Sequence, residues 1–123
     1  MPADPATLTL AEAAHRAAEV ADPHNEDPEV GTFMAYLEDA DEPISAVAHV
    51  SARVEEARRG ADPEGDVPAV TMAAAVTTYL AFRREEVEEP REHLLRLSAR
   101  AEFDDGEPPE QVAAWLAAQG VKV

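Results

Sequence analysis

The chain has 123 residues, about 13.2 kDa, with 26 Asp and Glu against 10 Lys and Arg, a net charge of −16 and a pI near 4.4. That length bounds it to one domain, residues 1–123, with 1–7 set apart as a tail. Without cysteine there is no disulfide, thiolate metal site or Cys nucleophile; no stretch approaches the roughly 20 apolar residues of a membrane span, and the opening MPADPATLTL has no basic region followed by an apolar one, so no signal peptide is expected.

Leu, Ile, Val and Phe together number 24 of 123, a share that with this charge is usual for disordered chains. Ala offsets this: it is the best helix former, and there are 26 of them. Only one of the ten basic residues is Lys. Few Lys, surplus acid and abundant Ala resemble the cytoplasmic proteins of salt-in halophiles with GC-rich genomes. That resemblance implies a cytoplasmic, soluble protein whose self-repulsion salt must screen. Helicity followed by circular dichroism is therefore expected to rise steeply from near-zero to molar KCl; a flat, fully helical signal in low salt contradicts the halophilic reading.

Pro, Gly and Asp punctuate the chain into five or six helical segments, and no strand pattern competes. The first, about 9–21, opens on Thr9 and Glu12, a capping-box pair. Its face of Leu10, Ala13, Ala17, Val20 and Ala21 is mostly Ala, so it either docks weakly or packs very close. The second, about 28–40, opens on Asp27-Pro28, a good N-cap before a residue suited to the first turn. Val30, Phe33, Met34 and Leu37 form its stripe. The third, about 43–59, carries Ile44, Val47, Val50, Val54 and Ala57, with Gly60 expected as the left-handed residue ending it. The fourth, about 68–88, is the longest and the broadest in apolar arc, so it is expected at the centre. Pro90 breaks the chain, and a fifth helix runs about 90–102 with Leu94, Leu97 and Ala101 on one face. The last, about 109–119, carries Val112, Trp115 and Leu116. If Gly120 stands just past its end, Leu116 and Val121 are the pair that touches in a Schellman ending. No internal repeat of 20 to 50 residues is read. The sum is an all-α domain, a small irregular array around the longest helix.

No constellation names a catalytic residue or a cofactor, and an enzyme is not indicated. There is no Gly-rich phosphate loop and no nucleophile elbow. A metal reading rests on Glu12 and His15, a Glu-x-x-His pair on one helix face; di-iron and di-manganese bundles need two such motifs and further inward Glu, so this chain supplies weak candidates and no site. An anion or partner site is drawn from Arg83, Arg84, Arg91, Arg96 and Arg100, because residues 43–101 are close to neutral while the flanks are acidic. Paired acids such as Glu55 before Arg59 neutralise such arginines locally. An acidic DNA-associated regulator is the alternative, but the net charge and a last helix without a basic residue argue against nucleic acid. What remains is interaction. Phe33, Tyr36, Tyr79, Phe82, Phe103 and Trp115 are either core or an interface centre. The favoured function is a non-enzymatic protein-interaction or self-association module, with a homodimer or another protein as partner and no membrane.

Overall fold

Six helices follow in chain order: α1 (Leu10–Ala21), α2 (Pro28–Leu37), α3 (Val50–Ala61), α4 (Pro68–Phe82), α5 (Arg91–Glu102) and α6 (Glu110–Ala118). The structure is a computed structural model and describes residues 9–38, 49–83, 87–103 and 108–121; among them there is no strand. None of these helices is long and apolar enough to cross a membrane. The small all-α array expected from the sequence is what forms, and α4 packs on all five other helices. It is apolar around its whole circumference, with Ala69, Val70, Met72, Ala73, Ala74, Ala75, Val76, Thr77, Leu80 and Ala81 all buried. A helix apolar on every side has to be enclosed.

The Ala-rich α1 takes the close-packing option. Its contact with α4 is the most extensive in the molecule, and Leu10, Ala13, Ala14 and Ala17 are fully buried. Small side chains on both helices permit that approach. The capping box forms as the sequence indicates. The Thr9 hydroxyl accepts the Glu12 amide N–H and the Glu12 carboxylate accepts the Thr9 amide N–H, both at 3.0 Å. At the other end of the chain Gly120 has φ +78°, the Val121 N–H donates to the Leu116 carbonyl, and the Gly120 N–H donates to the Ala117 carbonyl, each at 3.0 Å. That is the Schellman ending, and Leu116 and Val121 are both buried.

Several boundaries differ from the sequence reading. The fourth helix ends at Phe82, not near Glu88, with Arg83 as its C-cap. The sequence beyond, Arg83-Arg84-Glu85-Glu86-Val87-Glu88-Glu89, offers one apolar residue to bury and four acids that oppose the dipole at a helix C-terminus. The third helix begins at Val50 because His49 is left-handed, φ 58° and ψ 45°. The part of it expected over 43–48, with Ile44 and Val47, and residues 39–40 of the second, lie outside the described residues. Gly60 does not end α3; the helix runs through it to Ala61 and Asp62 is the C-cap. The Tyr36 ring of α2 lies over Gly60, where a side chain would have to displace it. Pro90 separates α4 from α5, as expected, and serves as the N-cap of α5.

The sequence reading of no internal repeat is overturned. The loops after α1 and after α3 are the same structure forty residues apart: Ala21-Asp22-Pro23-His24-Asn25-Glu26-Asp27-Pro28 and Ala61-Asp62-Pro63-Glu64-Gly65-Asp66-Val67-Pro68. Asp22 has φ −142° and ψ 71°, and Asp62 has φ −146° and ψ 72°. Each is a C-cap whose N–H donates to the residue four before it, at 2.8 Å. The Asp22 carboxylate accepts the Glu26 and Asp27 amides at 2.9 and 2.8 Å; the Asp62 carboxylate accepts the Asp66 and Val67 amides at 3.2 and 3.0 Å. Asn25 and Gly65 are both left-handed, and their amides donate to the Asp22 and Asp62 carbonyls, both at 3.1 Å. One carboxylate thus closes one helix and opens the next. The core positions repeat with the loop: Ala14 and Val54, Ala17 and Ala57, Val30 and Val70, Phe33 and Ala73, and Leu37 and Thr77 are all buried. Contacts follow the same rule. Exchanging the two hairpins sends the α1–α4 contact onto α2–α3, and both contacts exist. The repeat is faint in the sequence because the two units share only scattered identities outside the Asp-Pro and Pro positions.

One buried group is left unmatched. The Ser98 hydroxyl on α5 is buried without a hydrogen-bond partner among the described residues. Ser98→Ala removes that desolvation cost and raises helix propensity. It is expected to stabilise the fold by about 1 kcal/mol, read as a shift in the urea midpoint at unchanged slope.

Candidate functional site

The residues singled out from the sequence do not converge. Arg91 is turned inward: its Nε donates to the Val20 carbonyl at 2.7 Å and its Nη2 to the Gln119 side-chain oxygen. Burial pushes its guanidinium below the ordinary arginine value. From the other side, Arg16 donates to the Val87 and Glu89 carbonyls at 2.9 and 2.7 Å. Arg16 straps α1 to the α4–α5 connection and Arg91 ties the start of α5 to α1 and to the end of α6, so Arg91 is structural and not an anion ligand. Arg83 and Arg100 are exposed, Arg96 is half-buried, and Arg84 lies outside the described residues. The metal candidates Glu12 and His15 line one groove but are joined by no third ligand among the described residues. Glu12 is committed to the capping box, and no group of three or more His, Asp or Glu suited to a metal exists among the described residues. The aromatic set divides as well. Phe33 is fully buried; Tyr79, Phe103 and Trp115 pack against the core; Tyr36 and Phe82 are 53% and 71% exposed.

A groove that the sequence reading missed runs along the outside of the first hairpin. One part, about 900 Å³, lies between α1, α2 and the segment after α4, lined by Ala11, His15, Met34 and Val87 with Glu12, Glu19, Glu38 and Glu88 at its sides. The adjoining part, about 500 Å³, continues past Ala18 and Gly31 to Asp22 and Asn25 at the loop. Among the described residues the floor is apolar and the rim carries four carboxylates. Arg16, the one arginine lining it among the described residues, is held by main-chain carbonyls and approaches Glu19 at 3.8 Å.

Acid accumulates further at the loop. Asp27, the N-cap of α2, makes no side-chain cap bond. Burial, and then Asp22, Glu29 and Glu26, push its carboxyl above the ordinary Asp value. The folded state therefore holds that proton more tightly than the unfolded chain. Its contribution to stability is present below the unfolded pKa and is lost as pH rises through the folded one. Asp27→Asn keeps a good N-cap. It is expected to stabilise at neutral pH, by no more than about 0.5 kcal/mol, with the gain vanishing in acid; urea midpoints at the two pH values check this.

The second hairpin carries the matching groove. It is lined by Ser51, Glu55, Arg58, Gly65, Thr71, Ala74 and Thr78 among others. Forty residues earlier these positions are Ala11, His15, Ala18, Asn25, Gly31, Met34 and Glu38, all of which line the first groove. Here Arg58 fills part of the space. Its Nε and Nη2 donate to the Glu55 carboxylate at 3.0 and 2.9 Å, and its Nη1 donates to the Asp62 carbonyl at 3.1 Å. This interaction holds the Glu55 carboxyl below its ordinary value and Arg58 above its own. Arg59 adds the expected i, i+4 contact with Glu55 at 3.3 Å. No protein-family model, curated protein or solved structure matches the chain.

Proposed function

We propose that this domain is a non-enzymatic interaction module that seats a basic, partly apolar segment of another protein in the groove of its first hairpin. The observation that carries the reading is the groove itself: an apolar floor of Ala11, Met34 and Val87 beneath a rim of Glu12, Glu19, Glu38 and Glu88. Apolar contact supplies affinity at such a surface, and the carboxylates select and steer a partner of opposite charge. The same rim disfavours a second copy of this chain, which carries −16 itself, so a distinct protein is preferred to a homodimer. Nucleic acid is disfavoured for the same reason. A DNA-associated role gains nothing from α6, whose sequence EQVAAWLAA offers no cation.

Titration with a synthetic basic amphipathic peptide, followed by backbone amide NMR shifts, tests the reading. Shifts are expected to cluster at Ala11, His15, Gly31 and Met34. An acidic peptide of the same apolar pattern is expected to give none, and Met34→Glu to weaken binding at least tenfold. Shifts elsewhere, or equal binding of the acidic peptide, contradict it.

A further inference from the structure

The first groove is more specific than its acidity alone implies, because the second hairpin displays the same groove with a side chain in it. Arg58 lies across the second loop, its forked guanidinium held by a carboxylate and by the Asp62 carbonyl. The position equivalent to Arg58 is Ala18, and the position equivalent to Thr71 is Gly31, where a side chain would meet nothing within 4 Å. Both differences put a smaller side chain in the first groove, while the second keeps about 480 Å³ open beside Arg58. The Asp22 carbonyl accepts the Asn25 amide at 3.1 Å, as the Asp62 carbonyl accepts that of Gly65. The Asp62 carbonyl also accepts the guanidinium; the Asp22 carbonyl has no second donor among the described residues. Glu19 lines the same space, standing where the second unit has Arg59, so a carboxylate is present although position 15 is His in place of Glu55. Met34 replaces Ala74 and adds an apolar surface for an aliphatic stem.

We infer that the first hairpin binds the arginine side chain of a partner protein, in the place that the second hairpin fills with its own Arg58. The inference rests on the reading of this groove as a protein-binding site and names the residue that enters it. The guanidinium donates to the Asp22 carbonyl and to the Glu19 carboxylate, while its methylenes lie on Met34. Arginine is preferred to lysine because a planar fork can satisfy a carbonyl and a carboxylate together, and an ammonium on a flexible stem presents no such fork.

The test uses the full chain and three basic peptides that differ at one central position, Arg, Lys or Leu, the net charge of the Leu peptide being restored at its end. Binding is measured by calorimetry and located by amide shifts. The Arg peptide is expected to bind at least tenfold more tightly than the other two, with its largest shifts at Ala18, Asp22 and Gly31. The His15→Glu, Ala18→Arg double variant transplants the Glu55–Arg58 pair, so it is expected to fold with unchanged or raised stability and to lose the Arg preference. Ala18→Arg alone is the second variant, with the same expected loss, and stands in if the double variant does not fold. Equal binding of the Arg and Lys peptides in the groove, or an Arg preference that survives both fillings, overturns the inference and leaves the interaction reading intact. Binding of none of the three peptides overturns both.

Discussion

Asp62→Ala is expected to destabilise the protein by about 2–3 kcal/mol, since hydrogen bonds to a charged group are worth roughly 1.5–3 kcal/mol and two amides lose their acceptor at once. Asp62 is 3% exposed. Its carboxylate is the acceptor for the Asp66 and Val67 amides that precede α4, and α4 is the helix on which every other one packs. Asp62→Asn keeps one acceptor oxygen and is expected to lose about half as much. Asp22→Ala removes the same two bonds from the first loop. Asp22 is more exposed, so water compensates in part and the loss is smaller. Urea unfolding of the three variants checks the series. Equal stability of Asp62→Ala and the wild type contradicts the role assigned to the repeated loop.

Phe33→Ala carries the larger single cost, about 3–5 kcal/mol, from lost transfer energy and the cavity left behind. Phe33 is the largest fully buried side chain, and a domain of this size has only about 5–15 kcal/mol in total. The variant is expected to melt far below the wild type, or to be unfolded in low salt where repulsion at −16 is unscreened. The equivalent position in the second unit is Ala73, also fully buried. Two copies of one framework thus use a large and a small residue at the same place. The asymmetry suits α4, which packs on all five other helices, and α2, which does not. Thermal unfolding in low and in molar KCl reads both the size of the loss and its dependence on screening.

The residues that made the fold legible are those that act locally. Thr9 with Glu12, Pro28, Pro68, Pro90 and Gly120 each do what their own chemistry requires within one turn of chain, so the helix starts and the last helix end agree with the structure. The boundaries that failed depend on neighbours. The fourth helix looked continuous to Glu88 because Val87 fits its period, yet nothing between Phe82 and Val87 has an apolar face to pack. Gly60 has the sequence setting of a helix end, but the helix runs through it and the Tyr36 ring of another helix lies over it. His49 carries no sequence mark of a left-handed cap beyond a modest tolerance for it.

The site was less legible, for a different reason. Its determinants are absences: Ala18 and Gly31 matter because larger side chains stand at the equivalent places forty residues on. An alanine in an Ala-rich chain and a lone glycine carry no signal by themselves. The sequence did hold the needed clue in the spacing of Asp22-Pro23 and Pro28 against Asp62-Pro63 and Pro68. Of the arginines that the charge pattern singles out, Arg91 is bound within the molecule and Arg83 and Arg100 are exposed. Arg91 serves the Val20 carbonyl and the Gln119 side chain, and Arg58, which carries no mark of its own in the sequence, shows how its groove holds a guanidinium.

The guanidinium position is vacant in the first groove and taken by Arg58 in its duplicate, and the number of arginine-peptide sites per chain measures this directly. Calorimetric stoichiometry is predicted to be one for the wild type, two for Arg58→Ala, in which the second groove is emptied, and none for the His15→Glu, Ala18→Arg variant. A stoichiometry that stays the same in all three folded proteins contradicts it.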